Sequence, residues 1–149
     1  MSSLDQKIQE DLVQAMKSKD ADRLTVLRML KSTLTNTKIQ KKRETLEDAE
    51  ILEVLQKQAK QRKESIESFE KAGRAELADK EKREYEILLK YLPEQLSDAD
   101  IRALAEKAIK TTGATVKADM GKVMKELMPS VKGKADGKKV NEILSSLLA

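Results

Sequence analysis

An all-α protein is what this sequence predicts, and three observations carry the prediction. Glycine and proline are scarce, 5 and 2 of 149 residues, so few positions break a helix. No stretch alternates apolar and polar residues with period two over a useful length, whereas apolar residues recur at intervals of three and four. Helix-favouring residues dominate everywhere. The apolar share of 39% is enough for a real core, but only 2% is aromatic, so that core is aliphatic. A chain of this length makes one domain or two very small ones.

Ser3 is the expected cap of a first helix, whose buried line is Leu4, Ile8, Leu12, Ala15 and Met16. A polar turn, Lys17 to Asp20, ends it, and Asp20 is placed to cap a second helix from about Ala21 to about Gln40. There Leu24, Leu27, Leu30 and Leu34 face inward, and Val26 and Met29 widen the stripe. Arg23, Arg28 and Lys31 read as a solvated helix face, with Arg28 and Lys31 side by side. Lys38, Lys41, Lys42 and Arg43 gather where this helix ends. Cations suit a helix C-terminus because of its dipole; the run is also the densest positive patch of the N-terminal half, which leaves nucleic-acid contact open there.

Thr45 with Asp48 resembles a capping box in which the usual Glu or Gln is replaced. It opens a third helix that runs to about Ala72, roughly 40 Å at 1.5 Å per residue. Leu52, Leu55, Ala59, Ile66 and Phe69 keep its apolar line, which Arg62 interrupts. That arginine is expected to snorkel or to pair with a carboxylate of the fourth helix. Lys60/Glu64, Lys63/Glu67 and Glu67/Lys71 lace the exposed face. Gly73 is the expected left-handed cap. A fourth helix, about Ala75 to Leu92, buries Leu77, Tyr85, Leu88 and Leu92. Antiparallel helices with short turns predict an up-and-down N-terminal helical bundle over residues 1–92.

Leu92-Pro93-Glu94-Gln95-Leu96-Ser97 is the best boundary, because proline disfavours the helical conformation of Leu92. Residues 93–96 are read as a linker and 97–149 as a small three-helix C-terminal domain. Ser97 with Asp100 opens one helix (Ile101, Leu104, Ala105, Ala108, Ile109), which Gly113 closes. The next carries Met120, Val123, Met124, Leu127 and Met128 as an apolar stripe, and Pro129 is expected to stop it. Asp136 is placed to cap the last, which buries Val140, Ile143, Leu144 and Leu147. So small a unit is expected to lean on the bundle for stability.

Much chemistry is excluded by composition. Histidine and cysteine are both absent, which removes Cys and His nucleophilic dyads, the histidine base and every ordinary zinc site. Gly121-Lys122 is followed by Val and Gly133-Lys134 by Ala, each without the glycine that a phosphate loop needs five positions earlier. Carboxylate pairs such as Glu81/Glu84 read as surface decoration in so charged a chain. No catalytic residue, metal ligand or cofactor is assigned, and no catalysis by the chain alone is expected. There is no apolar run of membrane-spanning length and no apolar signal core in residues 1–10. With no disulfide framework either, the expectation is a cytoplasmic protein without a membrane partner.

The basic C-terminal region is positively informative. From Lys110 to Lys139 eight lysines stand against three acids, a balance of +5 that exceeds the +4 of the whole chain. Lys117, Lys122, Lys125, Lys132, Lys134, Lys138 and Lys139 are the candidate contacts to a phosphate backbone. Phe69, Tyr85 and Tyr91 all lie elsewhere, so a nucleic acid here is read through shape and backbone rather than by base stacking. Gly121 inside a helix costs about 1 kcal/mol relative to Ala, and two readings compete for it: close helix packing and close approach of RNA.

These residues carry a resemblance. Asp119-Met120-Gly121-Lys122-Val123-Met124, then Val131 to Gly137 with Gly133 and Asp136, then Val140-Asn141, resemble the GatB/YqeY motif. Arg23-Leu24 with Arg28, Gln61-Arg62-Lys63-Glu64-Ser65 and Tyr91 to Leu96 are similar to the stand-alone YqeY-like proteins, so the resemblance covers essentially the whole chain. It implies a helical bundle followed by a three-helix domain similar to the tail of the B subunit of the tRNA-dependent amidotransferase. That tail is associated with tRNA, while the carbon–nitrogen ligase chemistry with glutamine as amido donor sits in a catalytic core that this sequence lacks. Two functions follow as expectations: a tRNA-binding or amidotransferase-associated accessory protein, with tRNA or an aminoacyl-tRNA complex as partner, or an assembly module docking on a protein through Met120, Met124 and Met128.

Overall fold

The computed structural model describes residues 2–149. Among them the chain is all-α, with no strand. It divides into two compact units, Met1–Leu92 and Pro93–Ala149.

The first unit packs four helices, α1 (Ser3–Ser18), α2 (Ala21–Gln40), α3 (Asp48–Lys71) and α4 (Ala75–Leu89), with α3 and α4 in the most extensive contact. Its core is aliphatic: Ile8, Leu12, Val26, Leu27, Leu30, Leu34, Ile51, Leu55 and Leu88 are buried together. The cap of α1 is Ser2, not Ser3; its hydroxyl accepts from the Asp5 N–H. Ser3 instead donates to Asp48 at 3.0 Å, and the Leu4 N–H donates to the same carboxylate at 3.1 Å, so the start of α3 satisfies the start of α1. Hydrogen bonds from Ser2, from the Leu4 N–H and from Ser3 hold the Asp48 carboxyl below its ordinary range. Asp20 caps α2 as expected.

The box that opens α3 lies two residues beyond Thr45: Glu50 accepts from the Glu47 N–H at 3.1 Å. Leu46 just before it and Ile51 are both buried in the core, a hydrophobic staple that fixes the entry angle. The basic run has a structural explanation. Lys38 pairs with Asp5 at 3.2 Å, and Lys41 and Arg43 both pair with Glu50.

Several apolar assignments shift. Met16, Met29 and Leu77 are exposed, whereas Ile51 and Gln58 are buried. Arg62 is the interruption that the fourth helix answers: it pairs with Glu84 and, at 3.2 Å, with Glu81. Glu84 is therefore not surface decoration, since only 3% of it is exposed. The Arg62 guanidinium also reaches the Met29 sulfur at 3.6 Å. Gly73 takes the left-handed conformation, φ +71°. α4 ends at Leu89, three residues early, because Leu92 precedes proline and the chain tightens into i to i+3 bonds (Tyr91 to Leu88, Leu92 to Leu89). Tyr91 donates to Asp11 at 2.5 Å and fixes this end on α1; burial and that hydrogen bond push its hydroxyl above its ordinary range.

The second unit holds α5 (Asp98–Thr112), α6 (Met120–Val131) and α7 (Gly137–Leu147), with a short 3-10 turn, Lys117–Asp119, before α6. Ile101, Ala105, Val123, Leu127, Val131, Val140 and Leu144 form its own core. Ser97 and Asp100 complete a reciprocal box, and Gly113 closes α5 at φ +69°. Pro129 does not stop α6. The helix runs on to Val131, which is buried, and Lys132 closes the last turn on the Met128 carbonyl at 2.9 Å. The proline forfeits the bond its N–H would have made to the Lys125 carbonyl, and burial of Val131 two residues on offsets that loss. Met128 is exposed rather than part of the stripe. The segment 93–96 packs within this unit.

Candidate nucleic-acid interface

The candidate residues are set out by α6 and its flanks. Val123, Leu127 and Val131 turn inward, with Met120 and Met124 packed against the same core. At 100° per residue this leaves Gly121, Lys122, Lys125 and Pro129 on the opposite side, and all four are exposed. Lys125 and Lys132 are seven residues apart, two turns along one side of α6 and about 10 Å between Cα atoms. Lys122 is the i–3 neighbour of Lys125. The result is a ridge of three exposed lysines, none of which forms an ion pair among the described residues.

Beyond the ridge the chain turns. Gly133 takes φ +76°, a left-handed conformation that a side chain disfavours. Lys134 is exposed in this turn, and its N–H and that of Ala135 both close on the Val131 carbonyl, at 2.9 and 3.1 Å. Asp136 then caps α7 by accepting from the Lys138 N–H at 3.2 Å. Lys138 and Asn141, three apart, are exposed neighbours on α7. Lys139 differs from the others: it pairs with Asp98 at 3.1 Å. Lys117 is exposed in the 3-10 turn, and its backbone N–H donates to the Ala149 carbonyl at 3.0 Å.

Motif residues sort by what they touch. Asp119 is structural, accepting from the Thr115 and Val116 N–H groups at 3.2 and 3.5 Å. Met120 belongs to the core edge. Gly121 does not owe its place to close helix packing, because a Cβ there would meet nothing within 4 Å. The same open space surrounds Gly137, the first residue of α7.

Residues from 93–96 also belong to this neighbourhood, which the sequence did not reveal. The Gln95 amide donates to the Pro93 carbonyl at 2.8 Å and to the Gly133 carbonyl at 3.1 Å, and the Leu96 N–H donates to the Lys134 carbonyl at 2.8 Å. The bonds to Gly133 and Lys134 each span 38 residues, so no local pattern points to them. Among the described residues no cluster of acids is arranged to hold a metal ion, and no helix is long and apolar enough to cross a membrane.

A comparison with curated proteins returns no match. The family model described as Yqey-like protein matches residues 5–148, nearly the full length, and the chain therefore belongs to the YqeY-like family.

Proposed function

We propose that this protein binds RNA, tRNA foremost, as a non-catalytic accessory of tRNA-dependent amidation in the cytoplasm. The observation that carries the proposal is the ridge of Lys122, Lys125 and Lys132 beside the bare backbone of Gly121. Exposed lysines without carboxylate partners keep their full charge for phosphates, and a helical glycine facing open space lets a backbone approach closely. Lys134 and Lys138 extend the same positive surface across the turn. Lys139 contributes less, since a surface ion pair already engages it. Amidation enters through the resemblance of the second unit to the amidotransferase B-subunit tail. Docking on a protein through methionines has less support, because Met120 and Met124 pack against the core and Met128 is the one left exposed.

The test is fluorescence anisotropy of labelled tRNA titrated with the full chain at several salt concentrations. Affinity falls as salt rises, and each lysine on a phosphate adds about 0.7–0.9 to the log–log slope. The Lys132→Ala/Lys134→Ala pair therefore lowers that slope by about 1.5. Absence of binding at low salt overturns the proposal.

A further inference from the structure

We propose that Gln95 is a positioning residue for the lysine turn, so that the segment leading into α5 sets how well that turn binds an RNA backbone. The inference rests on the RNA reading above and adds a residue that carries no charge of its own. The turn from Lys132 to Asp136 is short, has a left-handed glycine as its second residue, and presents Lys132 and Lys134 to solvent. Backbone of this kind does not hold a single conformation unless its polar groups are tied down. Two carbonyls of the turn, those of Gly133 and Lys134, are satisfied from one place: the Gln95 amide and the Leu96 N–H.

The Gln95 side chain does this from a fixed position, because the same amide nitrogen also donates to the Pro93 carbonyl two residues back. Proline fixes its own φ and restricts the residue before it, which stiffens that support. Ala135, at the far end of the turn, is buried in the core, so the turn is anchored there as well. Removing the Gln95 amide frees the Gly133 carbonyl and leaves the Leu96 N–H as the one remaining tie from the segment leading into α5, beside the turn's own bonds to the Val131 carbonyl. Lys132 and Lys134 then sample many orientations, and ordering them on a ligand costs entropy that the native turn has already lost.

The experiment uses the full chain and Gln95→Ala, alone and combined with Lys132→Ala/Lys134→Ala, with two readouts. Anisotropy with labelled tRNA gives affinity. Backbone amide exchange gives the order of Lys134 and Ala135, with Val123 and Leu127 as the control that the second unit remains folded. We expect Gln95→Ala to weaken tRNA binding by about three- to tenfold, and to have no further effect once both lysines are gone. The Lys134 and Ala135 amides exchange at least tenfold faster while those of Val123 and Leu127 do not change. An equal loss in both lysine backgrounds overturns the inference, since Gln95 would then act on the ligand directly or through the whole fold. Unchanged affinity, in a parent that does bind, overturns it too. If the parent binds no tRNA, the RNA reading fails by itself, and the exchange readout decides whether Gln95 orders the turn: unaltered Lys134 and Ala135 amides sink that as well.

Discussion

Arg62→Met is the most informative perturbation of the first unit. The Arg62 side chain is 10% exposed, and its partners Glu84 and Glu81 are 4% and 23% exposed. Glu84 already has one buried oxygen, Oε1, without a hydrogen-bond partner, as does Gln58. Taking away the arginine leaves a buried carboxylate with no compensating charge, which costs about 3–5 kcal/mol. The upper end is expected, because two carboxylates lose the same partner. Glu84→Gln is milder, about 1–2 kcal/mol, since the amide oxygen still accepts from Arg62 and Glu81 remains at 3.2 Å. The combination Arg62→Met/Glu84→Leu recovers most of the loss, because well-packed apolar replacements of buried pairs are often neutral. Against a typical total of about 5–15 kcal/mol, these differences separate cleanly. Urea unfolding followed by tyrosine fluorescence reads this unit alone, as both tyrosines, Tyr85 and Tyr91, lie in it. A cost below about 1 kcal/mol for Arg62→Met would refute the reasoning. So would a double variant as unstable as the sum of Arg62→Met and Glu84→Leu measured singly, which would mean no coupling.

Gly121→Ala separates stability from binding: it stabilises α6 by up to about 1 kcal/mol, read as slower exchange of the Val123 and Leu127 amides, yet weakens tRNA binding. Improved stability with unchanged affinity would remove Gly121 from the interface. Glu50 gives the pH dependence. The hydrogen bond from Lys41, then that from the Glu47 N–H, holds its carboxyl down at about 2, against an ordinary 4.5. A depressed carboxyl contributes stability that is complete above pH 4.5 and fades as pH falls toward 2. Glu50→Gln should flatten that part of the unfolding profile by tyrosine fluorescence and leave the neutral-pH slope alone. Gly113→Ala places a side chain at φ +69° with open space around it, so its cost is conformational, about 1–2 kcal/mol; amide exchange in α5 measures it.

The positions where pattern and structure part share one cause. Helical spacing tells which residues lie on a common side, but not how wide a stripe the partners will cover. Met16, Met29, Leu77 and Met128 sit at the edges of their stripes and stay exposed, while Ile51 at another edge is fully buried. Glu84 shows the same limit for charge. Nothing in its neighbourhood distinguishes it from the solvated acids of α4 until Arg62, 22 residues away, is placed against it. In the second unit the lysines were legible by count, whereas their weights were not. Lys139 is paired with Asp98 and Asp119 is spent on the Thr115–Val116 turn, both through contacts that folding creates.

Local chemistry determined several helix ends by itself: caps at Asp20, Ser97 and Asp136, and left-handed stops at Gly73 and Gly113, act within four residues and need no distant partner. The aliphatic core, the absence of histidine and cysteine, and the basic C-terminal region likewise follow from composition. Tertiary structure alone decided that Met128 stays outside the α6 stripe, that Gly121 opens onto solvent, and that Gln95 and Leu96 hold the turn carrying Lys132 and Lys134. Those outcomes depend on bonds and burial between residues tens of positions apart, which are satisfied only when the chain has closed on itself.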